Sequence, residues 1–462
     1  MNLELFLISE SASLREALAR IEANHHGVAL MTDHSGAVVG LATDGDIRRM
    51  LLKGASLDDP ISCCANREFL WADQATPRES LLKQLDHWIR VIPILDAQRR
   101  LIDIVSRDRL PISAEMPVYS RARSPVRISF GGGGSDLTHF FVNDSGAVIN
   151  ATISLYSHAT LKVRQDEHIA ILSRDLRDEL RADNLETVFS PSPRFGLIQS
   201  VLKTIRPDFG FDLFLHSDFP MNSGLGGSAV VSAAILGCFN ELRHDKWDAH
   251  ELAELAYQAE RIYLGVAGGW QDQYATVFGG LTFMEFRMEQ NLVHPLRIHP
   301  DTLLELEESL ILCGTGMAHD SGEIHEHQRL QMQDRDIQRQ VQAGVALTYR
   351  IRDHLLRGRL LQFGQALHEA WQLKRQFSEK ISNAWLDALY DNALRHGAVG
   401  GKLLGAGGGG FFLFYVPPFR KYGLIDFLET SGLTVHPFRF DHEGLRTWTT
   451  RENRNYSEAE AS

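Results

Sequence analysis

PMNSGLGGSAV, residues 220–230, is the stretch of sequence that most narrowly restricts the fold. It follows a strand-like apolar run, FDLFLHS, and precedes a helix predicted to begin at Ala229. Glycines let the backbone approach a bulky anion, and the free amides at a helix amino terminus attract phosphate. The stretch therefore predicts a phosphate-binding turn between a strand and a helix, although a tight capping turn would use the same residues.

Two further glycine clusters flank other strand-like runs. They are RSPVRISFGGGGSD, residues 123–136, and KLLGAGGGGFF, residues 402–412. A flexible linker would be rich in serine and other polar residues and would not lie between apolar strands. The Walker pattern GxxxxGK[ST] is absent, and no GxGxxG is followed by the strand and acid of a dinucleotide fingerprint. The sequence predicts that three distant glycine turns meet in one pocket.

Strand-like and helical runs are mixed from residue 114 onward, without the regular repetition that gives a parallel sheet. This pattern predicts an α+β fold. The net charge of −12 argues against a nucleic-acid or acidic-membrane partner, because phosphate-rich surfaces attract basic patches. Four cysteines without metal or disulfide spacing, and an acidic first segment, favour a cytoplasmic protein.

The three glycine motifs, in this order, resemble those of the GHMP kinases, and the likeness spans Ser120 to Pro418. The branch that phosphorylates D-glycero-D-manno-heptose 7-phosphate is the most similar, because RSPVRISFGGGGSDL, GGWQDQYATVFGGLTFMEF and GGKLLGAGGGGFFLFYVPP all look like that branch. The resemblance implies a two-lobed body, ATP and Mg²⁺ as cofactors, and a sugar or sugar phosphate as acceptor. Gly227 stands where this family usually has a serine.

The resemblance also implies roles for individual residues. Asp272 and Arg127 would be catalytic, and Ser228 and Glu260 would bind Mg²⁺. The residues expected to contact the sugar are Gly133, Gly134, Ser135 and Asp136. The residues expected to contact ATP are Ser223, Gly224, Leu225, Gly226, Gly227, Ser228, Gly407 and Gly408. A phosphate already carried by the acceptor would meet cations drawn from Lys374, Arg375, Lys380 and Lys402.

Simpler interpretations of the same residues remain open at this point. Glu260 could be a solvated helix acid, Arg127 a charge at a strand edge, and Asp272 a helix cap or turn residue. A degenerate kinase body that serves as a nucleotide sensor or scaffold is the rival function, and Gly227 is the feature that favours it. Fucose and galactose are alternative acceptors.

An internal repeat occupies the first hundred residues. The segment from Leu14 aligns without gaps with the segment from Pro77, and each copy reads helix, strand, turn, strand. This repeat resembles a CBS pair, in which Thr43 and Asp46 would hold an adenine nucleotide. The second copy has Ser106 and Arg109 at the matching positions. A packing or dimerisation unit without a ligand is the alternative, and pairing of such modules predicts a homodimer.

The predicted domains follow from these motifs. They are a regulatory CBS pair at 1–113, an amino-terminal kinase lobe at 114–300, a carboxy-terminal lobe at 301–450 and a frayed tail at 451–462.

Overall fold

The computed structural model describes residues 3–73, 75–76, 78–85, 89–106, 118–164, 166–220, 223–317, 321–331 and 334–451. The chain folds into two units, Met1–Glu115 and Met116–Ser462. Arg109 and the predicted tail after Arg451 lie outside the described residues. Among the helices within these ranges, none is long and apolar enough to cross a membrane.

The first unit contains two copies of a helix followed by two strands, as the repeat predicts. Its strands are β1 (Leu7–Ser9), β2 (Val28–Thr32), β3 (Val38–Thr43), β4 (Val91–Leu95) and β5 (Leu101–Ser106). Its helices are α1 (Leu14–Asn24), α2 (Asp44–Leu52) and α3 (Arg78–Gln84). Strands β1 to β3 form one sheet, and β4 pairs with β5 in an antiparallel ladder.

The second unit is built around a large mixed sheet and a smaller antiparallel one. Its strands are β6 (Val118–Gly131), β7 (Gly146–Val163), β8 (Ile169–Ser173), β9 (Asp178–Ala182), β10 (Phe211–Ser217), β11 (Leu281–Phe286), β12 (Asn291–Pro295), β13 (Leu310–Gly314), β14 (Gly400–Leu403), β15 (Phe411–Tyr415), β16 (Thr434–His436) and β17 (Arg446–Arg451). Its helices are α4 (Thr138–Phe141), α5 (Leu185–Val188), α6 (Gly196–Ile205), α7 (Gly227–Leu242), α8 (Ala249–Gln258), α9 (Gln271–Phe278), α10 (Pro300–Ser309), α11 (Ser321–Gln331), α12 (Arg335–Leu356), α13 (Leu360–Lys374), α14 (Ala384–Arg395) and α15 (Pro418–Thr430).

The large sheet has the order β12-β11-β7-β10-β8-β9, and β6 joins it by pairing with β7 and β17. Only β10 and β8 run parallel among its described pairs. The small sheet has the order β14-β15-β13-β16 and is antiparallel throughout its described pairs. Helices and strands are thus mixed without a parallel βαβ repeat, which confirms the α+β class.

The predicted boundary at residue 301 does not separate the strands cleanly. Strand β17 lies in the segment assigned to the carboxy-terminal lobe, yet it pairs antiparallel with β6, the first strand of the unit. One hydrophobic core also joins Ile128 of β6 to Leu312 of β13 and Leu413 of β15. Strand β17 thereby covers an edge of β6 that would otherwise leave its backbone groups unpaired, and the boundary between the two lobes stays a prediction.

Candidate active site

The phosphate-binding turn connects β10 to α7. Helix α7 begins at Gly227, two residues before the predicted start, and its cap residue Gly226 has a left-handed backbone with φ of 81°. Gly226 supplies no side-chain cap, so the first amides of the helix are left for another acceptor. Ser228 is exposed in this first turn. The turn has the free amides and the dipole that favour phosphate.

The second and third glycine clusters meet at backbone distance. A Cβ atom on Gly405 would lie 2.6 Å from the carbonyl oxygen of Gly224 and 2.7 Å from its Cα. Gly405 also has φ of +68°, which side chains rarely adopt. A glycine is therefore required for this contact, and the predicted convergence of these turns is what the structure contains.

A cleft of about 340 Å³ opens beside this contact. Its walls combine atoms of the glycine turn with apolar side chains, among them Leu176, Leu197, Ile198 and Leu215. The turn contributes Ser223, Gly224, Gly226, Gly227 and Ser228. Backbone amides and apolar side chains in one cleft suit a molecule that carries both phosphates and a flat ring.

An arginine and an aspartate are joined at the edge of this cleft. Arg127 is 5% exposed, and its Nε and one terminal nitrogen donate to the two carboxylate oxygens of Asp272 at 2.8 and 2.9 Å. Its other terminal nitrogen donates to the carbonyl of Gly224 at 2.7 Å. Asp272 lies in the first turn of α9 and is not its cap residue, which is Trp270. The first and second glycine motifs are thus held together by one guanidinium.

A smaller pocket also borders this pair. Arg127, Asp272, Gly133, Gly134 and Asp136 line it. Asp136 is buried and accepts hydrogen bonds from the backbone amides of Gly134 at 3.0 Å and of Gln271 at 3.2 Å. Burial, followed by the nearby Asp272 carboxylate, raises the pKa of Asp136. Since Arg127 and Asp272 line both cavities, they stand between the cleft and the pocket.

Two predicted Mg²⁺ ligands line the cleft. Glu260 lies in a π-helical turn, Ala259–Tyr263, and is 4% exposed. Its carboxylate accepts from the Gln273 amide at 2.8 Å, and burial raises its pKa. A buried carboxylate and an exposed serine hydroxyl are oxygen donors of the kind that Mg²⁺ prefers, with phosphate oxygens and water completing its shell. The residues present therefore fit this ion.

A second group of possible metal ligands contains histidines and differs in its donor atoms from Ser228 and Glu260. His158, His216 and Asp218 offer ligand atoms within 4.8 Å of one another, and none of them lines the cleft or the smaller pocket. Two imidazoles suit a transition metal more than Mg²⁺. This cluster therefore differs in its donor atoms from the residues predicted to bind Mg²⁺.

Several predicted site residues have other positions. The hydroxyl of Ser135 is buried and donates to the carbonyl of Gly132 at 2.7 Å, so it braces the first glycine turn. Leu225 is fully buried in the core. A Cβ on Gly407 would meet the backbone of Ile381 at 2.7 Å, and the amide of Gly408 donates to the carbonyl of that residue. These four are absent from the described linings of the cleft and the pocket, and Gly405 and Ala406 represent the third cluster there instead.

Two functional candidates were missed in the sequence. Arg261 lines both cavities and donates to the carbonyls of Val266 at 3.1 Å and Gly269 at 3.3 Å. Gln328 of α11 lines the smaller pocket and donates to Ala406. Arg261 directly follows Glu260, and this adjacency was a usable signal, whereas nothing near Gln328 distinguishes it.

The predicted nucleotide residues of the first unit form a capping box. The hydroxyl of Thr43 donates to Asp46 at 2.7 Å, and the amide of Asp46 donates back to that hydroxyl at 3.1 Å. The side chain of Arg49 also pairs with Asp46 at 2.5 Å. These contacts give both residues a local role at the start of α2, whatever else they bind.

Comparison with known families gives three matches. The family described as GHMP kinases N terminal domain matches residues 196–280, and the one described as GHMP kinases C terminal matches residues 351–421. The CBS domain family matches residues 1–53, which covers the first copy of the repeat.

Individual relatives are similar over most of the second unit. The D-glycero-alpha-D-manno-heptose 7-phosphate kinase of Campylobacter jejuni is 35% identical over 334 residues, which cover 71% of this chain and 98% of that protein. The bifunctional fucokinase/GDP-fucose pyrophosphorylase of Arabidopsis thaliana is 26% identical over 66% of this chain and 30% of its own length.

Solved structures share the fold. A D-glycero-D-manno-heptose 1-phosphate kinase from Bacteroides thetaiotaomicron superposes with a TM-score of 0.60 at 28% identity, over 71% of this chain and 98% of that one. Lactococcus lactis galactokinase complexed with galactose gives 0.59 at 18% identity, over 72% of this chain and 95% of that one, which shows the fold alone. The glycine turns, the Arg127–Asp272 pair and these relatives agree: the chain belongs to the GHMP kinases and is an ATP-dependent sugar kinase with an amino-terminal CBS domain.

Proposed function

We propose that this kinase transfers the γ-phosphoryl group of ATP to the anomeric hydroxyl of D-glycero-D-manno-heptose 7-phosphate. The product would be a sugar 1,7-bisphosphate that supplies nucleotide-sugar synthesis. The observation that carries the proposal is the Arg127–Asp272 pair, which lines both the ATP-sized cleft and the pocket that contains Asp136. The relative named for this substrate, 35% identical over 98% of its length, supports the choice of acceptor.

The geometry divides the chemistry among few residues. The carboxylate of Asp272 can accept the proton of the acceptor hydroxyl or orient that hydroxyl toward the γ-phosphorus. Arg127 fixes that carboxylate through two hydrogen bonds and places a positive charge beside the transferring group. Ser228 and Glu260 would hold Mg²⁺, which when bound would supply positive charge beside the phosphates. Asp136 and the amides of the first glycine turn would hold the sugar.

The rival function, a degenerate kinase kept as a scaffold, loses its main support. A Cβ on Gly227 would lie 3.1 Å from the ring of Phe219, which itself lines the cleft. The missing serine is thus explained by packing. A scaffold would also have no need for the buried pair of Arg127 with Asp272.

An ADP-release assay over a panel of acceptors tests the proposal. The panel contains the heptose 7-phosphate, the unphosphorylated heptose, fucose and galactose, each with ATP and Mg²⁺. Wild-type enzyme should favour the heptose 7-phosphate, and Asp272→Asn should lower that turnover by about 10²- to 10⁴-fold. A preference for fucose or galactose would replace the acceptor, and absence of turnover with every sugar would support the scaffold.

We further propose that the first unit binds an adenine nucleotide and regulates the kinase as part of a homodimer. Because Asp46 also caps α2, loss of nucleotide binding in Asp46→Ala must be separated from loss of helix stability. Glu16→Ala is the matched control, since Glu16 forms the same capping box in α1 without being predicted to bind nucleotide. AMP and ATP titrations should change only for Asp46→Ala. Mass measurement by light scattering tests the dimer, and a monomer would contradict it.

A further inference from the structure

Two buried lysines lie beside the smaller pocket. Lys374, the last residue of α13, is 8% exposed, and Lys402 in β14 is 2% exposed. The ammonium group of Lys374 donates to the carbonyl of Gly405. Lys402 forms no ion pair or side-chain hydrogen bond among the described residues. Two lysine side chains are therefore kept out of water at this point of the fold.

The charges around the lysines do not balance. Among the described residues, the carboxylate of Asp136 acts on both lysines and that of Asp272 acts on Lys374, but Asp272 is already paired with Arg127. The hydrogen bonds described for the Asp136 side chain come from backbone amides and from no lysine. A buried cation without an anion is unfavourable, so a lysine in such a place either loses its proton or is paired with an anion. Burial lowers the pKa of both lysines, and an anionic ligand between them would restore their charged forms.

The two lysines lie at the pocket proposed for the acceptor sugar and not at the cleft proposed for ATP. Lys374 lines the smaller pocket together with Asp136 and Asp272. Lys374 and Lys402 together line an adjoining narrow cavity, whose wall includes the first glycine turn, Gly131 to Gly133. Neither lysine is among the described residues that line the ATP cleft.

We propose that Lys374 and Lys402, with the first glycine turn, form a subsite for a phosphate group carried by the acceptor. The subsite rests on the proposed kinase function and extends it, because it makes the enzyme selective for a sugar phosphate over the free sugar. A phosphate monoester carries a charge near −2, which would offset both ammonium groups.

Arg375 and Lys380, the other cations that the sequence analysis offered for the acceptor phosphate, are not placed to bind it. The guanidinium of Arg375 donates to Asp387 at 2.8 Å and to Gln372, so its charge is already engaged. Lys380 is exposed and absent from the described linings of the three cavities.

Steady-state kinetics of the full chain test the subsite. The acceptors are the heptose 7-phosphate and the same heptose without phosphate, and the variants are Lys402→Met and Lys374→Met. Each variant should raise the KM for the phosphorylated acceptor by about 10- to 100-fold, the usual effect of losing a hydrogen bond to a charged group. The KM for ATP should stay within about twofold, and the KM for the free sugar should rise much less than that for the phosphorylated acceptor. Lys246→Met, which removes a surface lysine paired with Glu241, is the control.

Two results would overturn the subsite. One is an increase in the KM for ATP in place of the acceptor, which would assign the lysines to the γ-phosphate. The other is equal use of phosphorylated and free sugar by the wild-type enzyme. Inorganic phosphate titrated calorimetrically into the wild type and Lys402→Met separates this proposal from the kinase function. Binding lost in the variant supports the subsite even if no sugar is turned over, and equal binding by both proteins contradicts it.

The pH profile gives a second readout that a structural role would not change. Burial, followed by the charge of Arg127, lowers the pKa of Lys374 to about 8. The carboxylates of Asp136 and Asp272 act in the opposite direction. The side chain of Lys402 also faces Lys374. The free enzyme loses this cation as the pH rises through that value. The KM for the phosphorylated acceptor should therefore rise above pH 8 in the wild type and not in Lys374→Met. A flat wild-type profile would refute the role of Lys374.

Discussion

Replacing Gly405 with alanine should lower kcat strongly, by more than the accompanying loss of folding stability would explain. The added Cβ would lie 2.6 Å from the carbonyl oxygen of Gly224, whereas ordinary contacts begin near 3.4 Å, so the two turns must separate by roughly 0.8 Å. The atoms of Gly224 that the new Cβ would meet belong to the backbone, so no side chain can rotate away to make room. The same carbonyl accepts a hydrogen bond from Arg127, which carries the shift to Asp272. A misplacement near 1 Å costs about 100-fold in rate, so we expect kcat to fall by about 10- to 100-fold.

The left-handed backbone adds a separate effect on stability. Alanine at φ of +68° costs about 1–2 kcal/mol. Gly432→Ala measures this backbone cost alone, because Gly432 has φ of +78° and a Cβ added there would meet no other atom within 4 Å. Thermal unfolding and steady-state kinetics of both variants measure the two effects. If Gly405→Ala matches Gly432→Ala in kcat, the contact between the glycine turns does not position the catalytic pair.

Three further outcomes follow from the site and the first unit. Asp272→Asn keeps the size of the side chain but cannot take the proton, so kcat should fall by about 10²- to 10⁴-fold in the ADP-release assay, and a smaller loss would favour an orienting role. Gly227→Ser should lower Tm and raise the KM for ATP because its Cβ crowds Phe219, and Phe219→Leu should restore both; no rescue would contradict the packing explanation. Thr43→Ala should destabilise the first unit by about 1 kcal/mol in denaturant unfolding, since it removes the cap shared with Asp46, and no change would show that the cap is dispensable.

Much of this fold could be predicted because its signals are local. The apolar run FDLFLHS, which was predicted as a strand before the phosphate-binding turn, forms β10, Phe211–Ser217. Glycines next to strands marked turns because few other residues reach a left-handed backbone, as Gly224 and Gly226 show. The repeat in the first unit needed no tertiary information, since each copy carries its own helix and strand signals.

The remaining features depend on contacts between distant residues. Nothing in the sequence near β17 shows that it pairs with β6, more than 300 residues earlier. Glycine spacing likewise could not show that Gly405 faces the second turn while Gly407 faces Ile381. Within a glycine-rich run every member has the same local propensity, and the neighbour supplied by the fold decides which one reaches the ligand.

The two buried lysines show why a site can differ from what stability alone would select. For Lys374, a pKa lowered from 10.5 to about 8 corresponds to roughly 3 kcal/mol of unfavourable free energy for the charged form at neutral pH. The unfolded chain holds this proton more tightly, so the term destabilises the fold below pH 8 and disappears as the pH approaches 10.5. Position 402 is also buried, in the strand that precedes the third glycine turn. An apolar side chain there would avoid the free-energy cost of burying an ammonium group. An acceptor phosphate bound between the two ammonium groups would favour their charged forms, and part of the unfavourable burial would then return as affinity for the phosphorylated sugar.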